Sequence, residues 1–96
     1  MEFSPELRER VLTGEITVSF RRARVKPGGR YRVGHGQIEV ESVDVVPFAA
    51  ITAADVRRAG EKDRESLRQR AAHSGPIADE SLLFRIEFRP VGFEAP

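Results

Sequence analysis

The sequence contains no cysteine and no tryptophan, and it has only one methionine and one tyrosine. Without cysteine, neither disulfide bonds nor thiolate metal sites can stabilise the chain, so apolar packing must do so. A long hydrophobic run is missing too. The best candidate, VDVVPFAAI, contains an aspartate and a proline, and it is far shorter than the roughly 18 residues needed to span a bilayer. The opening MEFSPELRER mixes acidic and basic groups, unlike a signal peptide. We therefore expect a cytoplasmic protein with no membrane partner.

The composition predicts one small folded domain. A chain of 96 residues can bury a single core and leaves no room for a second domain. Apolar residues make up 40% of the chain, which is well above the content of disordered segments. Lys plus Arg number 16 against 15 for Asp plus Glu, so net charge gives no argument for nucleic acid. Only the distribution of charge can give one.

The N-terminal part of the sequence predicts a helix followed by a strand. Ser4 is a suitable N-cap with a proline directly after it, and Gly14 is a suitable stop. After Gly14 the apolar period changes to two, with Ile16, Val18 and Phe20 on one side. This alternation predicts a half-buried strand.

Turn signals separate the strands in the middle of the chain. KPGG, residues 26–29, predicts a tight turn, and the glycines on either side of His35 predict a second one. The strand after His35 is long, and its alternation changes phase near Ser42, which is typical of a β-bulge.

The last third predicts two short helices and a final strand. Thr52 and Asp63 are candidate N-caps, Gly60 ends the first helix, and the second helix extends to about His73. SLLFRIEFRPV then alternates as a strand ended by Pro90. Helices are missing between most strands, which argues against a parallel doubly wound sheet. We expect an α+β fold: a small mixed or antiparallel β-barrel with an N-terminal helix and two short helices inserted before the last strand.

The most distinctive charge pattern is a run of basic residues without an acidic one. Strand alternation places two of its arginines on one face of their strand, and another at the end of the preceding strand beside Ser19. Two strands can thus present cations together, and a majority of arginine favours bidentate contact with phosphate or carboxylate. The alternative is a solvated strand edge whose cations discourage association. The run consists of Arg21, Arg22, Arg24, Lys26, Arg30 and Arg32.

Other chemistry has little support in the sequence. His35 and His73 are far apart and there is no cysteine, so no zinc site is predicted. Ser19 and Thr17 share a strand face with Glu15, but no base is evident for either hydroxyl. The glycine-containing turns lack the length and the lysine of a phosphate-binding loop.

The succession VLTGEITVSFR, VKPGGRYRVG, IEVESVDVVPFAAITAADVRRAGEKDRESLRQR and LLFRIEFRPV resembles the ASCH domain, a PUA-like β-barrel related to RNA-binding modules. The resemblance covers residues 3–91 of a single 1–96 domain. The family's signature of glycine, lysine, hydroxyl and arginine falls on Gly14, Ile16, Ser19 and Arg21, so isoleucine stands at the lysine position. In members similar to amidohydrolases of an acylated cytidine, that lysine, the hydroxyl and a glutamate carry the reaction. The glutamate position falls near Ala59, and Glu61 is the nearest acid.

The resemblance implies binding in preference to catalysis, because isoleucine supplies neither a proton nor a charge. We expect an RNA, nucleotide or related anionic ligand, and no cofactor or metal. An ASCH-type hydrolase with an altered site is the alternative, an amidohydrolase on modified nucleosides or an RNA hydrolase, with Ser19, Arg21 and Glu61 as its candidates. A module that binds an acidic protein also stays open. The expected ligand-binding residues are Ser19, Arg21, Arg22, Arg24, Lys26, Arg30, Tyr31 and Arg32.

Overall fold

The architecture is taken from a computed structural model that describes residues 1–72 and 75–93. Within those residues the chain forms three α-helices, one 3-10 turn at Phe48–Ala50 and four strands. The helices are α1 (Pro5–Leu12), α2 (Ala53–Arg58) and α3 (Arg64–Ala71), and the strands are β1 (Val18–Arg21), β2 (Arg30–Val33), β3 (Gly36–Pro47) and β4 (Leu82–Phe93).

The four strands form one antiparallel sheet in the order β1-β4-β3-β2. The predicted α+β class and the predicted order of elements along the chain are confirmed. The barrel is not: in the described part of the chain no pairing joins β1 to β2, so the sheet stays open with these two strands at its edges.

Side-chain caps begin the two short helices, as the sequence predicts. The Thr52 hydroxyl accepts a hydrogen bond from the Asp55 backbone N–H at 3.1 Å, and Asp63 accepts one from the Ser66 N–H at 2.8 Å. Ser4 precedes α1 but makes no side-chain cap. The helix α3 ends at Ala71, and the predicted end at His73 lies outside the described residues.

The predicted irregularity near Ser42 is a bulge. Val40 pairs with Phe88 while Ser42 pairs with Glu87, so Glu41 is the extra residue on β3. Beyond it the side chains of β3 exchange faces, which explains the phase change in the sequence.

The prediction that Pro90 ends the last strand is wrong, because β4 continues to Phe93. The Phe88 N–H donates to the Thr17 carbonyl on the β1 side of β4. Alternate residues of a strand direct their N–H groups to the same side, so the nitrogen of Pro90 also faces that side. The strand β1 begins only at Val18, opposite Glu87, so Pro90 lies beyond the paired residues of β1 and β4 and its missing N–H interrupts none of those pairs.

Apolar side chains are buried on both faces of the sheet. One face is covered by α1 and the other by α2 and α3, and Leu83, which alternation assigns to the polar side of β4, is buried with the second group. The first cluster comprises Leu7, Val11, Leu12, Ile16, Val33, Ile38, Val40, Ile86 and Phe88. The second cluster comprises Val18, Phe20, Phe48, Ile51, Val56, Leu67, Ala71, Ile77 and Leu83.

Among the helices of the described residues, none is long and apolar enough to cross a membrane.

Candidate functional site

A pocket of about 530 Å³ lies along the edge strand β1. It forms because α1 covers one face of the sheet and α3 the other, while β1 between them is only four residues long. The segment that precedes α1 forms one wall, and α3 with the residues after α2 forms the opposite wall. The polar residues that line the pocket are Glu2, Ser4, Arg8, Ser19, Arg21, Arg22, Glu61 and Arg70.

Arg21 is held in this pocket by neutral groups. Its Nε donates to the Ser19 hydroxyl at 2.8 Å, because residues two apart share a strand face. Its Nη2 donates to the backbone carbonyl of Glu2, and its Cζ lies 4.8 Å from the centroid of the Phe3 ring. In the described structure Arg21 forms no ion pair with a carboxylate. These contacts fix the guanidinium without neutralising it.

The surroundings of Arg21 disfavour its charge. Burial lowers the pKa of Arg21, and the nearby charge of Glu2 acts in the opposite direction with less effect. A partly desolvated cation whose direct hydrogen-bond partners are all neutral favours the binding of an anionic ligand, although the nearby charge of Glu2 offsets part of this effect.

The segment before α1 is itself anchored. The Phe3 ring packs edge-on against Phe88, with ring centroids 5.5 Å apart, and the Phe3 carbonyl accepts a hydrogen bond from Arg8 Nε at 3.2 Å. The pocket wall beside Arg21 is therefore joined to the first cluster.

The opposite wall contains a buried acid. Glu61 is 8% exposed, and Arg70 Nε donates to its carboxylate. Arg70 Nη1 also donates to the Ser4 hydroxyl at 3.0 Å, which explains why that hydroxyl does not cap α1. Arg70 thus joins α3 to the N-terminal segment across the pocket.

Arg22 lines the pocket, but its guanidinium is hydrogen-bonded to backbone carbonyls of the protein. Its Nη2 donates to the carbonyls of Gly75 and Pro76, at 3.0 and 2.6 Å. This arginine fixes the loop after α3 to the end of β1.

The rest of the basic run does not line the pocket. Arg30 and Arg32 lie on β2, and β3 and β4 separate them from β1 in the sheet. Arg30 pairs with Glu39 at 3.0 Å. Tyr31 packs partly against the first cluster, while Arg24 and Lys26 are exposed in the connection between β1 and β2. The shared cationic surface expected from two strands is therefore divided between opposite edges of the sheet.

All three catalytic candidates of the sequence, Ser19, Arg21 and Glu61, line this pocket along β1. Ile16, at the lysine position of the resemblance, is 1% exposed and belongs to the first cluster. It lies against Gly60, the residue before Glu61. Packing therefore accounts for the isoleucine.

Sequence reasoning missed Phe3 and Arg70. An aromatic residue directly before a helix N-cap often packs back onto the helix or the core, and Phe3 carries that signal. Arg70 carries none, because its contacts with Ser4 and Glu61 depend on where α3 docks.

A second group of charges lies on the other face of β4 and joins α2 to the sheet. Arg85 donates to both carboxylate oxygens of Asp55, at 2.8 and 3.0 Å, and Arg58 donates to Glu87. The hydrogen bond from Arg85 lowers the pKa of Asp55, against a smaller opposite effect of burial. The Asp55 and Arg85 side chains are only 15% and 17% exposed, so this ion pair is largely shielded from solvent.

Among residues 1–72 and 75–93 no group of three or more His, Cys, Asp or Glu side chains is arranged to hold a metal ion.

Comparisons with models of protein families, with curated proteins and with solved structures find no match for this chain.

Proposed function

We propose that the β1 pocket binds the anionic group of an RNA, a nucleotide or a related ligand. The observation that carries this function is the state of Arg21, a half-buried cation fixed by Ser19, Phe3 and the Glu2 carbonyl without a carboxylate partner. A guanidinium already held in one orientation loses little conformational entropy when it binds a phosphate.

The ASCH resemblance supports the same site, because its hydroxyl and arginine positions fall on Ser19 and Arg21. We take the open four-stranded sheet as a variant of the PUA-like barrel of that family, in a cytoplasmic protein. These assignments extend the proposal and rest on the resemblance.

The test compares two arginines of the same basic run. Fluorescence anisotropy with a labelled single-stranded RNA, and calorimetry with a nucleoside monophosphate, should both detect binding at low salt. Arg21→Ala should weaken it by roughly 10- to 100-fold, since hydrogen bonds to charged groups contribute about 1.5–3 kcal/mol. Arg30→Ala is the matched control, because Arg30 lies at the other edge of the sheet and pairs with Glu39.

Two further readouts separate charge from geometry. Arg21→Lys keeps the charge but loses the planar fork, so it should bind with intermediate affinity. Arg21→Ala should also reduce the slope of log affinity against log salt by about 0.7, the contribution of one phosphate contact to a single strand. The proposed function would be contradicted if neither RNA nor the nucleotide binds detectably, or if Arg21→Ala and Arg30→Ala weaken the affinity equally.

A hydrolase is the second candidate, because Ser19 and Glu61 line the same pocket. It would need the Ser19 hydroxyl as nucleophile or orienting group and the Glu61 carboxylate as base. Turnover of an acylated cytidine or of RNA that disappears in both Ser19→Ala and Glu61→Gln would place catalysis ahead of binding.

A further inference from the structure

The face of the sheet that carries Arg21 continues as an apolar surface. Arg21 pairs with Phe84 on β4, and Phe84 pairs with Val45 on β3. Directly paired residues of antiparallel strands point to the same face, so these three side chains form one row across the sheet. Neighbouring strands lie about 4.8 Å apart, which places Val45 roughly 10 Å from Arg21.

Part of this surface is open to solvent. Val45 is 56% exposed, and Leu82, two residues before Phe84 on the same face, is 64% exposed. In the described part of the chain, Val45 and Leu82 are the large hydrophobic residues that are exposed. Phe84 is half-buried because one side of it packs against the first cluster. We name Phe84, Val45 and Leu82 the apolar platform.

We infer that the apolar platform stacks the bases of a single-stranded RNA whose phosphate is held by Arg21. This inference rests on the proposed function. Bases stack on aromatic and apolar side chains while the backbone follows neighbouring cations, and the platform has such a cation at its β1 border. Phe84 lies one strand spacing from Arg21 and Val45 lies two, or about 5 and 10 Å. In a nucleotide, the sugar joins the base to its phosphate over a distance of this order.

Charge favours this occupant over a second copy of the chain. A two-fold interface centred on the platform would bring two copies of Arg21 towards each other. In the described residues Arg21 forms no direct ion pair, and the nearby charge of Glu2 has a smaller effect on it than burial has, so much of that repulsion would remain. A polyanion instead complements it.

The experiment compares RNA with an abasic strand of the same length and charge. A labelled ten-nucleotide oligouridine should bind the wild type at least about fivefold more tightly than its abasic counterpart, since stacking contributes about 1 kcal/mol or more per base. Phe84→Ala, and separately Val45→Ser with Leu82→Ser, should remove most of that preference and leave abasic binding unchanged. Arg21→Ala should weaken both strands alike.

The variants distinguish the possible failures. Phe84→Ala also loses core packing, so thermal unfolding is followed for each variant, and the exposed Val45 and Leu82 pair keeps the test valid if the phenylalanine variant unfolds. Equal binding of both strands by the wild type, still dependent on Arg21, overturns the platform and leaves the anion site standing. Absence of binding to either strand overturns the anion site as well. A loss of dimer mass in the Val45 and Leu82 variant identifies a self-association surface and also overturns the platform.

Discussion

Replacement of Gly60 by alanine tests the packing beneath the pocket. Gly60 follows the C-cap of α2 and has φ +81°, a backbone conformation that residues other than glycine rarely adopt. A Cβ at this position would lie 2.5 Å from Cδ1 and 3.0 Å from Cγ1 of Ile16, which is fully enclosed in the first cluster. The substitution therefore combines backbone strain with a steric conflict.

The two costs can be separated by a second glycine. Gly28 has φ +83°, but a Cβ there would have no atom within 4 Å, so Gly28→Ala should cost only the left-handed backbone, about 1–2 kcal/mol. Gly60→Ala carries the same backbone cost and adds overpacking of about 1–3 kcal/mol. Its total destabilisation should be about 2–5 kcal/mol, or a fall in Tm of at least about 8 °C for a domain of this size.

Urea unfolding followed by circular dichroism measures both values. Ile16→Val removes the Cδ1 atom that would conflict, and alone it should cost about 0.5–1.5 kcal/mol. In the Gly60→Ala background, Ile16→Val should cost less than it does in the wild type, or should restore stability. The two substitutions should therefore show a favourable coupling energy of about 0.5–3 kcal/mol.

Equal destabilisation by Gly60→Ala and Gly28→Ala would refute this reasoning, because only the backbone cost would then be present. Strict additivity of the Gly60 and Ile16 substitutions would refute the assigned contact in the same way.

The remaining predictions concern pH and helix capping. The pKa of Asp55 is lowered in the fold, so its pairing with Arg85 stabilises the protein fully above the unfolded pKa of about 3.9 and is lost as pH falls through the folded pKa. Unfolding free energy should therefore decrease below about pH 5, and Arg85→Gln should flatten that decrease; an unchanged profile would contradict the assignment. Thr52→Ala and Asp63→Ala should each cost about 1 kcal/mol in urea unfolding because both side chains cap helices. Ser4 does not cap its helix, because its hydroxyl accepts a hydrogen bond from Arg70 across the pocket. Arg70→Ala should therefore cost less stability in the Ser4→Ala variant than in the wild type, and strict additivity of the two substitutions would argue against that bond.

Signals that act over a few residues were predictable from the sequence. The caps at Thr52 and Asp63 and the bulge beside Ser42 depend only on neighbouring backbone and on strand alternation. The end of β4 was not predictable in this way. Whether Pro90 interrupts a strand depends on whether a neighbouring strand requires an N–H donor at that position, and that neighbour is about 70 residues away in the sequence.

In the candidate site too, local contacts were predictable from the sequence and contacts between distant elements were not. Ser19 and Arg21 meet because they are two apart on a strand, which the sequence indicates directly. The other lining residues come from three different parts of the chain: Glu61 directly follows Gly60, Arg70 lies on α3, and Phe3 lies in the N-terminal segment. Only the docking of those elements brings them together, so no local pattern predicts the complete site.

Sheet order decides which cation of the basic run is available for a ligand. Val18 and Phe20 of β1 are buried with Leu67 and Ala71 of α3, which places β1 on the free side of β4. The tight hairpin between β2 and β3 keeps β2 at the opposite edge, with Arg30 facing Glu39. Two arginines close in sequence thus have different electrostatic surroundings: Arg30 forms a direct ion pair with a carboxylate, whereas the direct hydrogen-bond partners of Arg21 are neutral. A run of like charge is a weak predictor of a binding surface until strand order is known, because the partners that neutralise each charge come from distant parts of the chain.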